Sequence, residues 1–160
     1  MTIIVSLNEL VGEMQTLSSE THTYLNKVTG QFFIITEEVI QASRDEEDLQ
    51  GNWMKDVVEE YKKVQETDDY LKLPSQFNIN EYHMMEDFCY SLSNERIRED
   101  LLRRIKGSGA FRRFKASIAH YGIENTWRVF QDNAYKKIAI EWLEEHNLNY
   151  VDDMKKKKKV

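Results

Sequence analysis

A chain of 160 residues with one proline, six glycines and a single cysteine falls in the size range of one domain and is long enough to bury a core without disulfide or metal staples. Apolar residues at 41% and charged residues at 31% are globular proportions, which exclude collagen-like, low-complexity and disulfide-framework classes. The formal net charge of −6 disfavours nonspecific nucleic-acid binding except through a local basic patch.

The first element is announced by Ser6 with Glu9 three residues later, a capping box flanked by Val5 and Leu10 in staple positions, and the spacing predicts a helix over 7–17. Thr21 to Asn26 and Gln31 to Thr36 are rich in β-branched and aromatic residues and are separated by Lys27-Val28-Thr29-Gly30. Gly30 supplies the positive φ of a reversal, so the pair reads as a β-hairpin. Thr36 caps a short helix from Glu37 to about Arg44, followed by an acidic loop ending in Gln50-Gly51. From Asn52 to Gln65, Trp53, Val57, Tyr61 and Val64 form a helical stripe. Tyr70, Leu71 and Leu73 lead into Pro74, the pattern of a third strand at the edge of the hairpin sheet.

Asn78 with Glu81, flanked by Phe77 and Tyr82, predicts a second capped and stapled start for a helix to Leu92 whose buried face carries Tyr82, Met85, Phe88, Cys89 and Leu92. Asn94 caps a helix to Lys106 with Ile97, Leu101 and Ile105 on one stripe. Gly107 provides the positive φ that ends it, and Ser108 is expected to cap the next helix, which carries Phe111, Phe114, Ile118 and Tyr121 and ends at Gly122. A last helix, 124–146, places Trp127, Phe130, Ala134, Ile138 and Trp142 on one side. The expected architecture is an α+β fold, predominantly helical, in which a small antiparallel sheet with short helices precedes a bundle of about four helices. One globular domain over 1–151 and a disordered basic tail over 152–160 complete the expected organisation.

Charge is segregated along the chain. Residues 37–69 hold twelve acids against four bases, a net of −8, and residues 94–115 hold eight bases against three acids, a net of +5. Five lysines, Lys155 to Lys159, follow near the end. They lack the apolar companion that stable membrane anchoring requires, and the longest conspicuous apolar run, Phe32 to Ile35, is far short of the ~20 residues needed to span a bilayer. No basic region with a longer apolar stretch opens the sequence, so a cytoplasmic location with no membrane partner is expected.

Three segments carry a resemblance: Tyr82-His83-Met84-Met85-Glu86-Asp87-Phe88, Gly107-Ser108-Gly109-Ala110-Phe111-Arg112-Arg113-Phe114-Lys115, and Ile138-Ala139-Ile140-Glu141-Trp142-Leu143-Glu144-Glu145. With the hairpin segment and Tyr70 to Pro74, the chain resembles the uncharacterised protein family numbered 0158 over most of residues 5–146. Where that family commonly has a basic residue between two glycines, this chain has Ser108. The resemblance implies no activity.

One constellation carries a candidate chemistry. Around Gly107, Ser108 and Gly109, backbone amides at a helix start, with Arg103, Arg104 and Lys106 before them and Arg112, Arg113 and Lys115 after, form a pattern suited to a phosphate or a nucleic-acid backbone. The same residues read more simply as a helix stop and start whose arginines pair with Glu99 and Asp100 four residues upstream, or as a docking patch that meets the acidic stretch at 37–69. A phosphate-binding loop of the Gly-x-x-x-x-Gly-Lys-Ser/Thr kind is excluded, and Gly107-x-Gly109 follows a helix where a dinucleotide fold needs a strand. His22, His83, His120 and His146 have no recognisable metal spacing. Cys89 reads as a buried, reduced thiol, and Glu86, Asp87 and Glu141 are carboxylates without a catalytic signature around them. No catalytic residue, metal or cofactor is assigned. The reading is a nonenzymatic binding or regulatory module acting through a protein partner, with phosphate or nucleic-acid binding at 103–115 as the alternative.

Overall fold

The computed structural model describes residues 3–45 and 52–154. In chain order the elements are β1 (Ile4–Ser6), α1 (Leu7–Gln15), β2 (Thr21–Asn26), β3 (Phe32–Thr36), α2 (Glu37–Asp45), α3 (Asn52–Glu66), β4 (Tyr70–Lys72), α4 (Gln76–Ile79), α5 (Glu81–Ser91), α6 (Glu95–Arg104), α7 (Ala110–His120), α8 (Glu124–Glu145) and β5 (Asn149–Val151). The class is α+β and predominantly helical. The acidic loop at 46–51 and residues 155–160 of the tail expected over 152–160 lie outside the described residues.

By their contacts the described residues fall into two compact units. Unit 1 comprises those up to Asn78 together with Ala139–Asp153, and unit 2 comprises Ile79–Ile138 and Met154. In unit 1 the antiparallel sheet has the order β3-β2-β4, with Tyr24 opposite Phe33 on one side and opposite Lys72 on the other. Alternation sets its core face: Tyr24 and Ile35 are buried against Val39 and Ile40 of α2 and Met54, Val58 and Val64 of α3, with Phe33 and Tyr70 partly buried beside them. Thr36 begins α2 by accepting the Val39 amide on its hydroxyl at 3.3 Å. Of the expected stripe on α3, Val64 is buried as expected, and nearer the start of the helix the inward row is shifted by one position. Met54 and Val58 are buried while Val57 and Tyr61 pack at the margin, because the Met54–Val58 row is the one that meets α2 and the sheet; the side chain of Trp53 lies outside the described residues.

A parallel pair of three-residue strands, β1 and β5, joins the two ends of unit 1 with Val5 opposite Tyr150. Ser6, the expected cap of α1, accepts the Glu9 amide at 3.1 Å and donates its own hydroxyl to Asp153 at 2.6 Å. Neither strand was foreseen, since three residues are too few to show alternation.

In unit 2, Phe88 of α5, Leu101 and Ile105 at α6, Phe114 and Ile118 of α7, and the partly buried Trp127 and Phe130 of α8 build one core. Its aromatic rings meet mostly edge to face, with centroids 6.0 Å apart for Phe88–Phe114 and 4.8 Å for Phe114–Trp127, the arrangement that the ring quadrupole favours. Truncating Phe114 to alanine removes the piece shared by α5, α7 and α8, at a cost of about 3–5 kcal/mol.

Two expected features of these helices are corrected, and one buried ring is added to the expected stripe of α8. The cap of α5 is Asn80, which accepts the His83 amide at 3.1 Å, and Asn78 instead accepts the Ser75 amide at 3.3 Å because the short α4 intervenes. The staple is absent: Phe77 is 90% exposed, and Tyr82 turns its hydroxyl to the Ile105 carbonyl at 3.0 Å. On α8 the fully buried ring is Tyr135, 1% exposed, whose hydroxyl donates to Glu81. With its polar tip satisfied, the ring is free to be buried.

Candidate functional site

The basic junction between α6 and α7 is built from two left-handed glycines, Gly107 at φ 82° and Gly109 at φ 79°. Gly109 and not Ser108 is the cap residue of α7, and no side chain bonds to the first amides of that helix. A side chain at Gly109 is disfavoured twice over: its φ is strained for any other residue, and a Cβ there would stand 3.0 Å from the Arg113 guanidinium, which would have to shift. That guanidinium fills the loop. Its Nε donates to the Arg104 carbonyl at 2.7 Å, Nη1 to the Ser108 carbonyl at 2.6 Å and Nη2 to the Lys106 carbonyl at 2.6 Å. The exposed carbonyls at the end of α6 and in the turn are thereby satisfied by one side chain from the next helix.

Arg103 and Arg104 are committed as well. Both donate to Asp100, at 2.7 and 3.0 Å, and Tyr121 donates its hydroxyl to the same carboxylate. Hydrogen bonds from Tyr121 and Arg103 foremost hold the Asp100 carboxyl down to about 2, and the same bond raises the Tyr121 phenol. Of the two expected helical pairs, Asp100 with Arg104 forms; Arg103 turns to Asp100 three residues away and not to Glu99. Arg98 donates to the Leu92 carbonyl at 3.1 Å and closes the end of α5.

What remains exposed around the junction is a different set. Lys106, Arg112 and Lys115 are exposed and make no ion pair with any described residue. Phe111, expected among the apolar stripe of its helix, is 43% exposed. On α7, Phe111 and Lys115 lie one turn apart on the same row, and Arg112 follows about 60° further round the exposed side.

Within each unit, other candidate groups find ordinary places. Glu86 and Asp87 flank His83 on the outer side of α5, with His83 3.5 Å from Asp87, and Glu141 belongs to unit 1. Among the described residues no three His, Cys, Asp or Glu side chains are grouped to hold a metal. Cys89 is fully buried, and that burial pushes its thiol up to about 11. In unit 1 an open cleft of about 650 Å³ is lined by Asp56, Glu59, Glu60, Lys63 and Asp69, part of the acidic stretch counted in the sequence. No described helix is long and apolar enough to cross a membrane.

The profile of a family described as an uncharacterised protein family, UPF0158, matches residues 1–160. The chain belongs to that family. No curated protein matches the chain, and no solved structure does. UPF0158 is of unknown function, so membership leaves the role of the junction to its chemistry.

Sequence reasoning grouped all nine junction residues and missed how they divide. Tyr121, twenty-one residues from Asp100, was placed on a hydrophobic stripe, and nothing local marks it as the third donor to that carboxylate. Arg113 and Arg112 are chemically identical neighbours, and only the geometry of the turn separates their roles.

Proposed function

We propose that this chain is a nonenzymatic binding module that works through protein contacts, and that the outer face of α7, Phe111, Arg112 and Lys115, is its contact surface, with Lys106 in the preceding loop. The supporting observation is the division of labour at the junction. Arg113 spends its guanidinium on three carbonyls and Arg103 and Arg104 on Asp100, which stiffens the platform from which Phe111, Arg112 and Lys115 project. An exposed aromatic ring beside cations on a rigid helix has the composition of an interface anchor, and its charge calls for an acidic partner segment that also offers the ring an apolar seat.

The test is retention of proteins from nuclease-treated native lysate on the wild type and on a variant carrying Phe111→Ala, Arg112→Glu and Lys115→Glu. The expected result is a partner held by the wild type, released by salt and lost from the variant at unchanged melting temperature. Equal retention by both proteins would remove the reading.

Phosphate or nucleic-acid binding is the second reading, favoured by the start of α7, where Gly109 leaves the first amides without a side-chain cap. It is tested by anisotropy of labelled RNA, single-stranded DNA and duplex DNA at several salt concentrations. Saturable binding with a log-log salt slope, abolished by Arg112→Glu, supports it; absence of binding at low salt eliminates it.

A further inference from the structure

The two edges of the antiparallel sheet in unit 1 are not equivalent. At one edge β4 is three residues long, carries Lys72 and runs into Pro74, the devices by which an edge is closed to further pairing. At the other, β3 reads Phe-Phe-Ile-Ile-Thr, with no charge, proline or glycine.

Its backbone is turned outward in alternate positions. The Asn26 amide donates to Gln31 at 2.8 Å and the Glu37 amide to Glu20 at 2.7 Å, so Phe33 and Ile35 are the β3 residues whose amides and carbonyls face β2, opposite Tyr24 and His22. The N–H and C=O of Phe32 and Ile34 therefore face away from the sheet. Among the described residues no strand pairs with that edge, and Ile34 at its centre is 53% exposed.

We infer that the β3 edge pairs antiparallel with β3 of a second copy of this chain, making a continuous six-stranded sheet about a two-fold axis at Ile34. The edge is self-complementary in three respects. A two-fold at Ile34 sets its amide and carbonyl against those of the partner's Ile34, and sets Phe32 against the partner's Thr36. The exposed isoleucines become a cross-strand apolar pair. The hairpin end with exposed Lys27 comes towards the start of the partner's α2, where Glu38 is exposed while Glu37 is held by its own His22 at 2.6 Å, so Lys27 and Glu38 bring opposite charges to both ends of the ladder and no like charges meet at its middle. The isologous arrangement is the commonest in homo-oligomers. This surface is separate from the α7 face and stands or falls without it.

A five-residue ladder buries less than the ~1,200 Å² of a standard interface, so the dimer is expected to be weak, half-formed at ~10–100 μM. Sedimentation velocity on the full chain over a concentration series tests it: a reversible dimer is expected, with Ile34→Lys raising its dissociation constant at least ~tenfold while leaving the circular dichroism spectrum unchanged. Ile34→Cys supplies a test that does not depend on how the lysine is tolerated. Paired residues across an antiparallel ladder have Cα atoms ~4.5–5.5 Å apart, inside the ~4.4–6.8 Å range of a disulfide, so Ile34→Cys should crosslink between copies on oxidation and Val28→Cys in the hairpin turn should not. A wild type that stays monomeric to ~500 μM, a dimer that folded Ile34→Lys leaves intact, or equal crosslinking at both positions would overturn the proposal.

Discussion

Three donors converge on Asp100, two guanidinium groups and a phenol, and the consequence is a carboxyl held at about 2. An aspartate in an unfolded chain titrates near ~3.9. Because the folded value is the lower one, the ionised group stabilises the fold above the unfolded value, and the contribution is lost as pH falls through about 2. Asp100→Asn is therefore expected to lower the melting temperature at pH 7, with the gap to wild type closing between pH ~4 and ~2 in thermal melts followed by circular dichroism. Tyr121→Phe removes the largest of the three influences, and the Asp100 carboxyl followed by NMR should then titrate higher; an unmoved midpoint would show that the phenol does not hold it. Cys89 gives a second expectation at this scale. Burial between α5 and its neighbours pushes the thiol up to about 11, so the native protein should resist a thiol reagent at pH 8 and react fully once unfolded.

Between α6 and α7 the chain turns through two glycines, and Arg113 carries the burden of satisfying the carbonyls that the turn exposes. Arg113→Met leaves the Arg104, Lys106 and Ser108 carbonyls without this donor and is expected to cost about 2 kcal/mol, roughly 4–8 °C in Tm. Arg112→Glu, one residue earlier, touches no such partner and should stay within about 0.5 kcal/mol of wild type. Equal losses from the two substitutions, measured by denaturant melts, would contradict the division of roles. Much at this scale was legible in the sequence: Ser6, Thr36 and Asn94 stand where they accept the expected amides, and the hairpin and third strand lie in the expected order. These signals are local, carried by a polar side chain and an amide three residues apart or by a short apolar alternation. The misplaced cap at Asn78 arose from two asparagines two residues apart, both with acceptors in reach of a helix start, and the choice between them depended on α4, whose four residues are too short for a periodic signal.

At the scale of the whole molecule, legibility fails where the partner is far along the chain. The apolar rows of α3 and α8 were visible, and Val64 and Trp142 are buried as they imply, yet how far the buried face extends to an adjacent row is decided by what packs against it, and so Met54, Val58 and Tyr135 emerged only from the fold. The two ends of unit 1 show the limit most sharply. Ser6 was legible as a cap and illegible as the partner of Asp153, 147 residues away. Asp153 also accepts the Asn8 amide at 2.8 Å, so one carboxylate supports the cap and the first turn of α1, and these bonds hold its own pKa below the usual range. If this contact ties β5 to β1 and not merely decorates it, Ser6 and Asp153 must be energetically coupled. Ser6→Ala alone is expected to cost about 1 kcal/mol, and Asp153→Ala to destabilise as well. The double variant should then lose less than the two singles together, because the second substitution removes an interaction the first has already broken. A denaturant double-mutant cycle reads the difference directly. Additivity within about 0.3–0.5 kcal/mol would mean that the strand pair Ile4–Ser6 with Asn149–Val151 is held by its backbone ladder alone, and that the hydroxyl caps the helix without joining the ends of the unit.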